Sequence, residues 1–271
     1  MSRASPMAPS IPPGSTGPSV SWAGRVVPRG CGSPYLTLMQ RDLLRQRRTR
    51  VLADVDEAAA RAGRTGDDVT LVAVTKGHPF EVVEAALEIG LREFGENRVE
   101  SLVARAGRVA DAGCRWHMVG RLQRRQAPEL HGVAELVHSV DSLRLAERLA
   151  RTAPEGSDTP LRILVQVNTS GEEAKTGLAP EEASDTVARI LELGELRVDG
   201  LMTMAPYTDD ERVLRQTFAG LRELAGELRR QLPEYRGKEL SMGMSNDYRV
   251  AVEEGSTMIR LGTVLFGERE A

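Results

Sequence analysis

From residue 38 onward, short apolar segments alternate regularly with amphipathic helical segments, and this alternation most constrains the fold. Eight of the short segments have the length and apolar content of buried strands. They are 69–75, 92–94, 115–119, 136–139, 161–168, 196–202, 239–242 and 258–261. Helical periodicity predicts helices over 38–62, 79–89, 97–107, 122–130, 142–152, 180–193, 209–231 and 246–254. Strands that alternate with helices form parallel sheets, and eight such repeats predict one α/β domain over 38–271, a (β/α)8 TIM barrel.

The main alternative architecture is a doubly wound parallel sheet. That fold commonly carries a Gly-x-Gly-x-x-Gly loop after its first strand. Here the first strand runs instead into Lys76-Gly77-His78. The sequence therefore favours the closed barrel.

The first 37 residues differ in composition from the rest of the chain. Residues 1–34 contain seven of the 14 prolines, seven serines, five glycines and no acidic residue. Such a segment buries too little apolar surface to offset the entropy of ordering it, so we expect a disordered tail over 1–37. A transit segment is an alternative because the tail is rich in serine and carries Arg3, Arg25 and Arg29. A true start near Met39 is another.

Charge and cysteine content exclude several classes of protein. The net charge of −3 gives no basic excess for binding nucleic acid, and no stretch approaches the roughly 20 apolar residues of a membrane span. Only the run Arg45–Arg50 leaves a weak nucleic-acid role open. Cys31 and Cys114 form neither a disulfide framework nor, with the four histidines, a metal-site spacing. We expect a cytoplasmic protein that binds no metal.

Polar and small residues cluster where the predicted strands end. Active sites of such barrels lie at the carboxyl ends of the strands, since the following loops converge there. The residues at these positions are Lys76, Glu96, Asn97, His117, Gly120, Ser139, Asp141, Asn168, Gly243, Ser245, Arg260, Gly262 and Thr263. This group predicts a ligand site.

Lys76 is the most specific of these candidates. Of the 36 basic residues only three are lysines, so each amine is a distinctive group in this chain. Because Lys76 directly follows an apolar strand, we expect a partly desolvated, nucleophilic amine at the barrel mouth. The alternative is a strand-end lysine that reaches into solvent.

The last two loops suggest a phosphate site. Barrels commonly hold phosphate in the loops after strands seven and eight, and these contain Ser245, Gly262 and Thr263. Hydroxyl groups and exposed backbone amides are suitable donors for such an anion. The same residues are also ordinary turn and capping residues, so the motif alone leaves both interpretations open.

Several ordered motifs resemble one family. They are Leu71-Val72-Ala73-Val74-Thr75-Lys76, Phe94-Gly95-Glu96-Asn97, Trp116-His117-Met118-Val119-Gly120, Val167-Asn168, Lys175-Thr176-Gly177, Gly200-Leu201-Met202, 240–247, 255–263 and Phe266-Gly267. Over about 45–267 the chain is similar to the pyridoxal phosphate homeostasis proteins of the YggS/PROSC type, whose barrel resembles the N-terminal domain of alanine racemase. One departure is Arg124-Arg125-Gln126, where the family usually has x-Asn-Lys, so any contact made there by the asparagine and lysine is altered.

The resemblance implies a cofactor and its ligands. It implies that Lys76 carries pyridoxal 5′-phosphate (PLP) as a Schiff base and that Ser245, Gly262 and Thr263 hold the phosphate. It further implies that Arg260 faces the pyridine nitrogen and that Asn97 lies beside the ring. A permanent cation cannot accept a proton from that nitrogen, so the ring stays unprotonated and is a poor electron sink.

The resemblance also implies a non-catalytic PLP carrier in vitamin B6 homeostasis, with indirect effects on amino-acid metabolism. Alanine racemase uses a tyrosine from a second domain as an opposing base, whereas this chain ends at Ala271, shortly after the barrel. We therefore expect a monomer without racemase chemistry, with PLP-dependent apo-enzymes as candidate partners. A PLP-dependent, racemase-like enzyme is the alternative.

Two other polar residues remain to be placed. For His117, which lies on a predicted strand, we favour a hydrogen-bonded role in the barrel over catalysis. Lys175 is equally compatible with a charge beside the ligand and with a solvated loop residue.

Overall fold

The computed structural model describes residues 38–157, 159–172 and 175–268. Within these ranges it contains eight strands. They are β1 (Thr70–Val74), β2 (Glu93–Glu96), β3 (Arg115–Met118), β4 (Leu136–Val140), β5 (Leu161–Gln166), β6 (Leu196–Met202), β7 (Glu239–Ser241) and β8 (Met258–Leu261). The predicted disordered tail and the last three residues of the predicted domain lie outside the described residues.

The eight strands form a closed parallel barrel in chain order. Each strand pairs with the next, and β1 closes the barrel by pairing with β8, with Ala73 opposite Leu261. The predicted (β/α)8 barrel is confirmed, and the doubly wound alternative is wrong.

Helices separate the strands. The α-helices are α1 (Leu38–Arg61), α2 (Glu81–Glu88), α3 (Val99–Arg108), α4 (Leu143–Arg151), α5 (Ala183–Leu191), α6 (Glu211–Gln231), α7 (Tyr248–Glu253) and α8 (Thr263–Phe266). Two details differ from the prediction. The segment expected as a helix over 122–130 is a 3-10 helix, Arg124–Leu130, and it contains Pro128, which has no N–H to donate in an α-helix interior. The short helix α8 was not predicted.

Two apolar layers stabilise the barrel. The larger lies between the strands and the surrounding helices, and within it the rings of Phe94 and Trp116 stack with centroids 5.2 Å apart. The smaller lies inside the barrel and consists of Leu136, Leu164, Met202 and Met258. The rest of the barrel interior contains polar side chains, so the interior is not a purely apolar core.

No helix in the described part of the chain combines the length and the apolar content that a membrane crossing needs. Likewise, the described residues contain no group of three or more histidine, cysteine or acidic side chains arranged to hold a metal ion.

Candidate functional site

A cavity of about 430 Å³ opens at the carboxyl ends of the strands. Its walls come from the ends of β1, β2, β3, β5, β6, β7 and β8 and from the loops that follow them. All six residues expected to hold a ligand line this one cavity: Lys76, Asn97, Ser245, Arg260, Gly262 and Thr263. Residues separated by nearly 190 positions in the chain are thus brought together by barrel closure, as the strand-end rule predicts.

Arg260 is the buried cation of the cavity. Only 6% of it is exposed. Its Nη1 group donates to the carbonyl oxygen of Ser241 at 2.8 Å and to the Ser241 hydroxyl at 2.5 Å, while Nη2 donates to the carbonyl of Thr203 at 3.0 Å. Burial lowers the pKa of Arg260 to about 10, although the Asp247 carboxylate opposes that shift. The guanidinium therefore stays charged at neutral pH and has a fixed orientation.

Lys76 lies at the rim of the cavity. Because β1 ends at Val74, the lysine lies two residues beyond the strand, where Gly77 turns the backbone with φ +75°. Its side chain is exposed, so the expected partial desolvation is wrong for the protein without a ligand. The apolar strand supports the loop that carries the amine but does not surround the amine itself. Asn97 and Thr263 are also exposed at the rim.

The loops after β7 and β8 are tied together on one side of the cavity. The backbone N–H of Val264 donates to the Ser245 hydroxyl at 3.3 Å, and α8 begins directly after Gly262. A Cβ atom at Gly262 would lie 3.2 Å from the carbonyl oxygen of Val74, so the glycine allows β8 to leave the barrel close to β1. These contacts place the hydroxyl groups of Ser245 and Thr263 and the start of α8 on the same side of the cavity.

Asp247 adds a carboxyl group to the same wall. Burial raises its pKa, while its hydrogen bond from the Met244 N–H at 2.5 Å and the nearby Arg260 act in the opposite direction. The carboxyl closes the turn that carries Ser245 and also balances part of the charge of Arg260.

The lining also includes Gln166, Tyr207 and Arg121, which were not predicted as site residues. Gln166 donates from Nε2 to the carbonyl and hydroxyl of Thr176, at 2.9 and 3.0 Å, which fixes the loop after β5. It is the last residue of β5, so the strand-end rule would have found it had the strand not been extended to residue 168. Tyr207 is 92% exposed and follows β6 at the mouth; no sequence signal distinguishes it from an ordinary loop tyrosine.

Gly120 also lines the cavity, whereas the remaining strand-end candidates lie outside it. Glu96 is buried on the outer side of the barrel, where Thr75 donates to it at 2.5 Å and Arg105 forms an ion pair with it at 3.3 Å. Burial raises the pKa of Glu96, and Thr75 and Arg105 oppose that shift. This carboxyl group therefore joins β1, β2 and α3 rather than contacting a cavity ligand.

The structure also shows the surroundings of His117 and Lys175. His117 is 2% exposed and hydrogen-bonded inside the barrel, so the role favoured for it is confirmed. Lys175 is not among the residues that line the cavity. Its Nζ donates to the carbonyl of Met204 at 3.3 Å and pairs with Glu172 at 2.9 Å, so the lysine is held in its loop and is not fully solvated.

The sequence and fold match known proteins over most of the chain. The family model for the N-terminal domain of alanine racemase matches residues 50–270. A pyridoxal phosphate homeostasis protein of Aquifex aeolicus is 39% identical over 229 residues, which are 83% of this chain and 98% of that protein. Its counterpart in Pseudomonas aeruginosa is 39% identical over 221 residues, or 82% of this chain and 94% of that protein. The chain belongs to the family of pyridoxal phosphate homeostasis proteins.

A solved structure supports the same placement. PipY of Synechococcus elongatus, determined with PLP bound, has a TM-score of 0.68 and 37% sequence identity and covers 74% of this chain and 93% of its own. The family resemblance inferred from the motifs is therefore confirmed, and so is the barrel type. In the present chain, as a member of this family, the candidate cavity lies at the mouth of the barrel.

Proposed function

We propose that this protein binds pyridoxal 5′-phosphate in the cavity at the barrel mouth and takes part in the intracellular homeostasis of that cofactor. The observation that carries the proposal is that one small cavity contains both a primary amine, Lys76, and the hydroxyl-bearing loops with Ser245 and Thr263. A primary amine can form a Schiff base with an aldehyde, and hydroxyl groups can donate hydrogen bonds to a phosphate. The names of the relatives and the PLP-bound PipY structure support the same ligand.

The residues present fit the cofactor in size and in charge. A cavity of about 430 Å³ lies within the usual range of roughly 300–1,000 Å³ for small-molecule sites. Its lining includes the cations Lys76, Arg121 and Arg260, and the buried Asp247 supplies the carboxyl group, whose pKa is raised by burial. This balance favours an anionic ligand.

Six lining residues have a proposed role. Lys76 Nζ would hold the aldehyde carbon as a Schiff base, with the aldehyde oxygen leaving as water, and Ser245, Gly262 and Thr263 would hold the phosphate through hydroxyl and backbone N–H groups. Arg260 would donate to the pyridine nitrogen, and Asn97 would lie beside the ring. The bound cofactor supplies an electrophilic carbon and an electron-withdrawing ring. Because the Arg260 guanidinium donates hydrogen bonds and accepts none, it keeps the ring nitrogen unprotonated.

We propose a carrier rather than an enzyme. An unprotonated ring withdraws electrons weakly, so the site favours holding the aldehyde over stabilising a carbanion. Effects on amino-acid metabolism are then indirect, through the supply of cofactor to PLP-dependent apo-enzymes. Incubating the PLP-loaded protein with L-alanine in deuterated water tests this directly. Turnover or α-proton exchange at ordinary enzyme rates, about 1–10³ s⁻¹, would favour a racemase-like enzyme instead.

Chemical reduction locates the attachment site. The protein is incubated with PLP, reduced with borohydride and analysed by peptide mass spectrometry; we expect the adduct on Lys76. The chain has only two other lysines, Lys175 and Lys238, and Lys238→Ala is the matched control because that side chain is exposed away from the cavity. Lys76→Ala should lose the visible absorbance and the adduct, while Lys238→Ala keeps both. A reducible adduct that survives in Lys76→Ala would overturn the proposal.

We further propose that the protein acts as a monomer in the cytoplasm. Light scattering of the PLP-loaded protein tests the first statement, and cell fractionation tests the second. Transfer of PLP to a purified apo-enzyme, followed by the recovery of that enzyme's activity, tests whether apo-enzymes receive the cofactor.

A further inference from the structure

A continuous chain of hydrogen bonds crosses the barrel interior and ends on Arg260. Arg260 Nη1 donates to the Ser241 hydroxyl at 2.5 Å, and Ser241 Oγ lies 2.8 Å from His138 Nδ1. His138 Nε2 lies 2.9 Å from His117 Nδ1, and His117 Nε2 lies 2.9 Å from Glu93 Oε2. We call these five residues the interior relay. It links five strands, from the first residue of β2 to the buried cation of the cavity.

Strand alternation explains why these polar groups face inward. Successive side chains of a strand point to opposite faces. Trp116 and Met118 pack into the layer between strands and helices, so His117 between them faces the barrel interior. Val137 packs into that same outer layer, and its neighbour His138 faces inward. Both histidines are buried, with exposures of 2% and 0%.

When both histidine rings are neutral, the two ends of the relay fix the position of every proton in it. A guanidinium can only donate and a carboxylate can only accept. The Ser241 oxygen accepts from Arg260, and its own proton goes to His138 Nδ1. His138 must then donate from Nε2 to His117 Nδ1, and His117 donates from Nε2 to Glu93. Both rings are then Nε2–H tautomers, and the hydrogen bonds run in a single direction.

Electrostatics supports this assignment. Burial, together with the nearby Arg260, holds the pKa of His138 well below its ordinary value, so the ring is neutral at physiological pH. At the far end, burial would raise the pKa of Glu93, but hydrogen bonds from His117 and Arg115 outweigh it and bring the pKa to about 2. The carboxylate that anchors the relay is therefore ionised.

We propose that Ser241, His138 and His117 are positioning residues for Arg260, which they hold in the orientation needed to donate to the ring nitrogen of bound PLP. This inference rests on the proposed function, because it assigns Arg260 to that nitrogen. The relay commits the Ser241 proton to His138 and so leaves the Ser241 oxygen free to accept from the guanidinium. The opposite tautomer of His138 would donate to Ser241, and the hydroxyl proton would then have no partner within the relay.

The tautomers can be measured without any cofactor. Nitrogen-15 NMR of the histidine rings in the cofactor-free wild-type protein should show both His117 and His138 neutral and protonated at Nε2. Observation of a cationic ring, or of an Nδ1–H tautomer at His138, would overturn the relay. Because this readout uses the unmodified chain, it does not depend on any variant folding.

Variants of two buried serines test the effect on the cofactor. Ser241→Ala removes one of the three acceptors of Arg260, whereas Ser256→Ala removes an equally buried hydroxyl that bonds to the carbonyls of Leu240, Met242 and Met258. Loss of a hydrogen bond to a charged group should speed PLP release roughly tenfold in Ser241→Ala and shift the visible absorbance band. Ser256→Ala should match wild type in both, even if it is less stable, and Ser241→Thr should restore the wild-type band.

The outcomes separate this inference from the proposed function. If the wild-type protein forms no adduct on Lys76, the proposed function fails, whatever the tautomers are. If wild type binds PLP but Ser241→Ala and Ser256→Ala have the same band and the same release rate, Arg260 is not positioned through the relay. A band that shifts in Ser241→Ala and returns in Ser241→Thr supports the relay, because a general loss of stability would not shift the band selectively.

Discussion

The Tyr248 hydroxyl donates a 2.6 Å hydrogen bond to the Asp54 carboxylate, which also pairs with Arg249 at 2.7 Å. Tyr248 is the first residue of α7, directly after the loop that contains Ser245, and Asp54 lies in the middle of α1. The first helix of the barrel domain is therefore fastened to the element that carries one wall of the cavity.

Removing this hydroxyl should loosen the attachment of α1. Tyr248→Phe keeps the ring, which is 5% exposed, and removes one hydrogen bond to a charged group. We expect the free energy of unfolding to fall by about 1–2 kcal/mol, measured by urea denaturation. Tyr207→Phe is the matched control, because Tyr207 is 92% exposed and surface substitutions of this kind change stability by less than about 0.5 kcal/mol. Equal losses in the two variants would argue against a role for the Asp54 contact.

Gly262 should be intolerant of a methyl group. In Gly262→Ala the new Cβ would lie 3.2 Å from the Val74 carbonyl oxygen, so β8 must shift away from β1. We expect a stability loss of about 1 kcal/mol and weaker PLP binding, measured by urea denaturation and by absorbance titration. Gly226→Ala, in the interior of α6, meets only the flexible end of Arg230 at 3.5 Å and should instead stabilise the protein by about 0.5–1 kcal/mol. An unchanged PLP affinity in Gly262→Ala would show that this glycine does not contribute to PLP binding.

Much of the barrel could be predicted because strand and helix periodicities are local properties of the sequence. The bounds of β6 and β8 match the prediction, since polar or glycine residues flank each apolar segment. The fifth strand was extended too far. Its ladder ends at Gln166, and Asn168 instead caps a turn by accepting from the Ser170 hydroxyl at 2.7 Å. A strand and the turn that ends it compete for the same residues, and local pattern alone does not decide between them.

The residues of the candidate site could be predicted from the sequence, but their exposure and their hydrogen-bond partners could not. The strand-end rule and the family motifs bring together all six expected cavity residues. The exposure of Lys76 depends on how far the loop carries it beyond β1, which the sequence does not determine. Alternation could have placed His117 inside the barrel, between Trp116 and Met118. Its partner across the interior depends on the register between strands, and that is fixed only when the barrel closes.

The aromatic stack of the outer layer should be a major source of stability. Phe94 is fully buried, and its ring lies 5.2 Å from that of Trp116 at an interplanar angle of 30°. Phe94→Ala should cost about 3–5 kcal/mol through lost burial and the cavity left behind, measured by chemical denaturation with far-ultraviolet circular dichroism. Leu52→Ala, at a position that is 37% exposed on α1, should cost far less. If the two truncations cost the same, the Phe94 ring is not a core contact.

Lowering the pH should remove the stabilising contribution of Glu93, the carboxylate at one end of the interior relay. The folded-state pKa of Glu93 is about 2, against 4.5 for an ordinary glutamate, because bonds from His117 and Arg115 outweigh the effect of burial. A carboxyl group with a lowered pKa stabilises the fold above the unfolded-state value, and that contribution is lost as the pH falls from about 4.5 towards 2.

Glu93→Gln should therefore be less stable than wild type at pH 7, by an amount on the order of 3 kcal/mol, and the difference should shrink steadily below pH 4.5. The free energy of unfolding, measured in urea at a series of pH values, tests this. Glu129→Gln, at an exposed position on the same barrel, controls for the loss of one negative charge. A gap between Glu93→Gln and wild type that stays constant from pH 7 to pH 3 would show that the fold does not lower the pKa of Glu93, and the single direction assigned to the relay would lose its ionised acceptor.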